Sequence, residues 1–234
     1  MKKTYLVLSL IVIIFSGCVR DYHPYAQFTQ KYKSYLTGER IDFTNQSTEA
    51  TSYMWDFGDG FTTSTYDASH VFTRNGQYTV TLNAYNHNKV SVSTAVIEVY
   101  IPSSLNITVK EYGHSSIIVP NASVLIFETL ADWDTHNSDY ATVSSITNDV
   151  GFVYFDNLFP GDYYIDIKNS HYDNWQIGID NSDLVHAYLD EGVDKYFSIT
   201  ADYLGKKKSS LATNELNRNT LPTTKYHHRK VVTK

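Results

Sequence analysis

Only one cysteine, Cys18, occurs in the 234 residues, so no intrachain disulfide can form and no cysteine cluster can hold a metal. Proline is scarce, at five residues, and no apolar run reaches the roughly 20 residues that an α-helix needs to cross a bilayer. Cations are few in the body of the chain. Between Cys18 and Gly205 there are 9 Lys and Arg against 24 Asp and Glu, a net of −15, which argues against binding nucleic acid. Catalytic signatures are missing as well: there is no Walker loop, no H-E-x-x-H, no G-x-S-x-G and no dinucleotide fingerprint. No enzymatic activity, cofactor or metal is expected.

What is present begins at the N-terminus. Lys2 and Lys3, the apolar stretch Tyr5–Phe15 and then Ser16-Gly17-Cys18 have the layout of a secretory signal peptide. Small residues followed at once by cysteine resemble the lipobox of bacterial lipoproteins. That resemblance implies removal of residues 1–17 and diacylglycerol on the thiol of Cys18, with the new amine open to a further acyl chain such as palmitate. The alternative is an ordinary signal peptide with an incidental cysteine. Two or three acyl chains, at about 0.8 kcal/mol per buried CH₂, would hold the protein on a membrane permanently. Val19-Arg20-Asp21 puts no aspartate directly after Cys18, which favours the outer membrane over the inner. At the other end, Lys206–Lys234 carries 8 Lys and Arg against Glu215 alone, a net of +7. This segment, 204–234, reads as a solvated, disordered basic tail, able to meet anionic headgroups or the acidic body.

Between these ends the pattern is all-β. Short alternating runs rich in Val, Ile, Thr, Tyr and Phe are broken by Gly, Asn, Asp and Pro every 8–12 residues or so, as in sandwiches. Strands are expected over Ala26–Thr29, Arg40–Asn45, Ser52–Phe57, Thr65–Phe72, Gly76–Asn86 and Val90–Tyr100. Ile101-Pro102-Ser103-Ser104 reads as a boundary, and strands resume over Leu105–Glu111, Ala122–Glu128, Ala141–Thr147, Gly151–Phe155, Gly161–Asn169 and Asp194–Tyr203. Thr147-Asn148-Asp149-Val150-Gly151 reads as a hairpin turn, and Asn181-Ser182-Asp183 as the cap of a short helix carrying Leu184, Val185, Tyr188 and Leu189. The expected architecture is two tandem β-sandwiches, over 18–101 and 102–203.

The strongest short signal is Trp55-Asp56-Phe57-Gly58-Asp59-Gly60. Trp55 and Phe57 would face one side of a strand, Asp56 and Asp59 would accept bonds from turn amides, and the two glycines permit positive φ. The hexapeptide resembles the W-D-F-G-D-G hallmark of the polycystic-kidney-disease (PKD) repeat, an immunoglobulin-like sandwich. Ile41-Asp-Phe43-Thr-Asn45-Gln-Ser47, His70-Val71-Phe72 and Gly76-Gln-Tyr78-Thr-Val80-Thr-Leu82 follow in the order that family shows, over roughly 22–101. The resemblance implies a binding or spacer module with the hexapeptide in a structural role. A calcium loop of EF-hand type does not fit, because Gly58 and Gly60 stand where ligands would be needed. His70 is expected to be partly buried and hydrogen-bonded.

In the second half, Val119-Pro120-Asn121-Ala122-Ser123-Val124, then Thr147-Asn148-Asp149-Val150-Gly151-Phe152, then Leu158-Phe159-Pro160-Gly161-Asp162-Tyr163, resembles the carboxypeptidase-regulatory-like, prealbumin-like sandwich. That implies a stabilising or contact module. Asp132-Trp133-Asp134-Thr135-His136-Asn137-Ser138-Asp139 is the densest polar–aromatic loop, and Tyr172, Asp173 and Trp175 form a second candidate. Exposed, Trp133 or Trp175 could stack a sugar ring while nearby polar groups bond its hydroxyls. The expected function is therefore a non-enzymatic envelope lipoprotein, tethered through Cys18. It would present sandwiches to a protein partner, for adhesion or as an accessory subunit of an outer-membrane assembly. A surface glycan-binding lipoprotein is the alternative.

Overall fold

The computed structural model describes residues 23–175 and 182–204. Cys18, the signal segment 1–17 and the basic tail from 205 lie outside the described residues, as does Asn181 of the expected helix cap.

The chain first builds eight strands: β1 (Phe28–Gln30), β2 (Ser34–Leu36), β3 (Arg40–Asn45), β4 (Ser52–Asp56), β5 (Thr62–Thr63), β6 (Ala68–Val71), β7 (Gly76–Asn86) and β8 (Lys89–Tyr100). They form a three-stranded sheet, β1-β3-β6, and a five-stranded sheet, β2-β8-β7-β4-β5. Alternation drives the packing. Ile41 and Phe43 turn inward from β3, Val80, Leu82 and Ala84 from β7, and Ile97 and Val99 from β8. Trp55 is wholly buried between the sheets, with Phe28 edge-on to it at 5.1 Å and its indole Nε1 donating to Thr65 O at 3.0 Å. An asparagine clip finishes β3. Asn45 N donates to Asp67 Oδ1 at 2.8 Å and its Nδ2 to Tyr66 O at 3.1 Å, while its Oδ1 accepts from Ser47 N at 2.8 Å.

Pairing stops for only two residues, Ile101 and Pro102, before β9 (Ser103–Glu111) begins. There follow β10 (His114–Ile118), β11 (Ser123–Phe127), α1 (Leu130–Asp134), β12 (Val143–Ile146), β13 (Phe152–Leu158), β14 (Gly161–Lys168), β15 (Tyr172–Asp173), β16 (His186–Leu189) and β17 (Asp194–Tyr203). β9 pairs in parallel with β17 along one edge and antiparallel with β13 and β10 along the other. β14 is flanked by β11 and β12 on one side and by β16 and β15 on the other, and β15 joins this layer to β17. Between the layers lies a second hydrophobic cluster, 105–201, separate from the first, 28–99. The protein is all-β, with α1 its one α-helix among the described elements.

Two local expectations change. The segment expected as a helix pairs as strand β16, because Val185, Ala187 and Leu189 alternate into the core with a period of two. A single turn of 3₁₀-helix, Ser182–Leu184, precedes it. The reversal at Thr147–Gly151 is a turn, but not a hairpin. Asn148 Oδ1 accepts from Val150 N and Phe152 N, yet β12 pairs with β11 and β13 with β9, so the chain crosses from one layer to the other. Gly151 is required there: φ is +66°, and a Cβ would lie 2.9 Å from Val109 O.

Candidate functional site

The Trp55–Gly60 segment leaves β4 and turns at once. Trp55 and Phe57 drop into the core, while Asp56 and Asp59 stay on the rim. Asp56 Oδ1 accepts from Gly58 N at 2.8 Å, and Asp59 Oδ1 from Phe61 N at 3.2 Å. The other oxygen of Asp59 meets His70 Nε2 at 2.6 Å, and the His70 ring lies flat on Phe57, 4.2 Å away with planes 6° apart. Gly58, at φ +78°, lets this turn sit on β7, since a Cβ would come within 2.8 Å of Thr79 O. Both carboxylates are thus engaged in closing the loop, and the histidine is a packed, hydrogen-bonded strut.

In the second sandwich, polar groups converge on the outer side of β14. Strand pairing along this edge is interrupted between β16, which reaches Tyr164, and β15, which begins opposite Lys168. The side chain of Asn174, fully buried, fills the gap: its Oδ1 accepts from Ile167 N at 2.7 Å and its Nδ2 donates to Ile165 O at 2.9 Å. Trp133 Nε1 donates to the same carbonyl at 3.1 Å. Above them His136, in the left-handed region at φ +50°, sets Nδ1 3.2 Å from Oδ2 of the buried Asp166. Asp166 Oδ1 has no hydrogen-bond partner among the described residues. Trp175 stands edge-on to His136 at 4.7 Å and is 41% exposed. Asp173, whose Oδ1 accepts from Trp175 N at 2.6 Å, is held above the usual carboxylate range, first by burial and then by the neighbouring Asp166 carboxylate.

Residues 22–101, the stretch that contains the Trp55–Gly60 turn, match the family model of the PKD domain. This part of the chain is similar to the PKD domain. It is similar to the PKD1 domain of Vibrio anguillarum Epp, at 32% identity over 34% of this chain and 95% of that one, with a TM-score of 0.30. It is also similar to the PKD1 domain of the Vibrio cholerae metalloprotease PrtV, at 28% identity over 33% and 96% of the two chains, with a TM-score of 0.29. A longer likeness, to BcpA, the major pilin subunit of Bacillus cereus, covers 77% of this chain and 71% of that one at 9% identity and a TM-score of 0.33.

The six hallmark residues of the PKD domain, Trp55, Asp56, Phe57, Gly58, Asp59 and Gly60, are brought together as one turn. Trp133 is not where the sugar-stacking expectation put it. It is 1% exposed, because Thr129 caps α1 through the Asp132 amide and turns the indole inward onto Ile165. Trp133 is therefore a core residue. Trp175 does reach the surface. Asp166, which lies in neither candidate loop, is the member of its cluster that sequence spacing did not expose, and only the fold brings it to His136.

Proposed function

We propose that the protein is a non-enzymatic lipoprotein of the cell envelope, held by acyl chains on Cys18 and presenting two β-sandwiches as interaction modules. The first is the PKD domain, and the second is a carboxypeptidase-regulatory-like, prealbumin-like sandwich. Outer-membrane anchoring is the preferred placement, with adhesion or service as an accessory subunit of an envelope assembly as the task. The observation that carries this reading is the order of parts: a lipobox-like Cys18, then a module whose hallmark carboxylates are spent on its own turn, leaving surfaces rather than chemistry to act. In the second sandwich, the turn residues Asn148, Gly151 and Pro160-Gly161 stand at chain reversals, which supports that resemblance, although the reversal at Gly151 joins two layers and is not a hairpin. Cross-linking in intact cells, followed by affinity capture from detergent, tests it. Reproducible recovery of one envelope protein is expected. Recovery of none, with unchanged adhesion in a deletion strain, contradicts it.

A second reading, glycan binding, is favoured by Trp175, which is exposed and has the half-buried Asp173 carboxylate at its own amide. An indole face with an adjacent hydrogen-bond acceptor suits a sugar ring and its hydroxyls. Loss of polysaccharide binding in Trp175→Ala supports this reading, and binding that the substitution leaves untouched removes Trp175 from it.

A further inference from the structure

The outward face of the β13-β9-β17 layer carries an arrangement that no turn or core requirement explains. Tyr154 of β13 and Tyr196 of β17 are both register partners of Asn106 on β9, one across an antiparallel pair and the other across a parallel one. The three residues thus form a row across the strands on one face, the face opposite Leu105, Ile107, Val153 and Phe197. The two tyrosines are 51% and 79% exposed, and neither ring packs on another aromatic among the described residues. Between them Asn106 is only 8% exposed, yet its amide makes just two long contacts, 3.4 Å to Ser104 Oγ and 3.5 Å to Lys195 O. Nothing among the described residues donates to its Oδ1. The Asn106 amide, held by long contacts on its nitrogen, thus keeps its oxygen open to a donor between two exposed rings.

We propose that Tyr154, Asn106 and Tyr196 form a platform for an extended β-linked glycan chain. Two strand spacings put the tyrosine Cα atoms about 10 Å apart, which closely matches the advance of two pyranose units. In an extended β-linked chain alternate units present the same face, so units one and three stack their C–H faces on the two rings. The unit between them lowers its hydroxyls onto Asn106, donating to Oδ1 and accepting from Nδ2. At the end of the row, the Asp194 carboxylate, which accepts from Ser104 Oγ, and the Ser198 hydroxyl on the other side extend the polar lining. A flat, repeating, uncharged polymer is favoured over a peptide, because both tyrosines stand on one face of the sheet in a single row across its strands. The inference rests on the glycan-binding reading but places the site on the opposite layer from Trp175.

The test is calorimetric titration of the full-length protein in detergent with cellohexaose, chitohexaose and a proline-rich decapeptide. Tyr154→Ala and Tyr196→Ala are each expected to weaken oligosaccharide binding at least tenfold, and the double variant to abolish it. Tyr154→Phe and Tyr196→Phe keep the rings and are expected to bind within about threefold of the parent. The phenylalanine pair also guards against folding artefacts, since both sites are exposed and circular dichroism should be unchanged. Binding lost in Trp175→Ala but retained in the double tyrosine variant would overturn the platform and leave the glycan reading standing. Binding of the decapeptide with neither oligosaccharide bound, or of none of the three, would overturn both.

Discussion

At the scale of single residues, the decisive groups are those whose backbone or burial leaves no substitute. Gly58→Ala combines a positive φ with a Cβ 2.8 Å from Thr79 O, so a loss of about 1–3 kcal/mol is expected in denaturant unfolding. No change in the unfolding midpoint would contradict the packing of that turn on β7. Asp173 makes a prediction of opposite sign. Its raised folded-state pKa means that the native state holds a proton the unfolded chain gives up earlier. Its contribution to stability is therefore intact below the unfolded value of about 3.9 and is lost as pH rises through the higher folded value. Asp173→Asn keeps an acceptor for Trp175 N and removes the charge, so it should be more stable than the parent at neutral pH and converge with it in acid. A variant less stable at neutral pH would show that the carboxylate is stabilising. Sequence made the first of these residues legible and hid the second. Gly58 sits in a hexapeptide whose spacing states its own geometry, whereas the raised pKa of Asp173 comes from burial and from the Asp166 carboxylate, brought in from elsewhere in the chain.

At the scale of elements, alternation was readable wherever one face is buried and the other wet. β3, β7 and β17 lie within the expected bounds for that reason. β10 gave no signal, because all five of its residues are exposed. β16 was misread because Leu184, Val185, Tyr188 and Leu189 satisfy a helical spacing as well, and pairing with β14 decided for the strand. Trp133 was misplaced because the aspartates on either side suggest a surface, while a one-turn helix rotates its indole beneath the sheet edge. The interruption beside β14 could not have been read from sequence at all. Asn174 there supplies the hydrogen bonds that a neighbouring strand would otherwise give. Asn174→Ala strips a buried N–H and a buried carbonyl of these bonds, an expected loss of about 2–4 kcal/mol in chemical denaturation. Asn174→Asp keeps the acceptor for Ile167 N and, only when protonated, a donor for Ile165 O, so it should be intermediate at a pH low enough to protonate it. An alanine variant of parental stability would contradict the bridging role.

At the scale of the whole molecule, two hydrophobic clusters on one chain predict two cooperative units. Trp55→Ala empties the centre of the first core and Trp133→Ala that of the second, each at about 3–5 kcal/mol. Calorimetry should show Trp55→Ala lowering one Tm and Trp133→Ala the other. Both transitions moving together would mean that the two cores unfold as one. Charge is divided at the same scale, with −15 over the body and +7 in the segment from Lys206. Under the proposed anchoring at Cys18, such a chain would hold an acidic double sandwich close to a membrane, with its binding faces within reach of other envelope components.

The central claim is that this molecule works as a tethered pair of binding modules, and it stands on the chemistry at one sulfur. Mass spectrometry of the N-terminal peptide from protein isolated from its native membranes tests this most directly. The account predicts a chain beginning at Cys18 with diacylglycerol on its thiol. A free thiol at Cys18, on protein recovered from the soluble fraction, would contradict it.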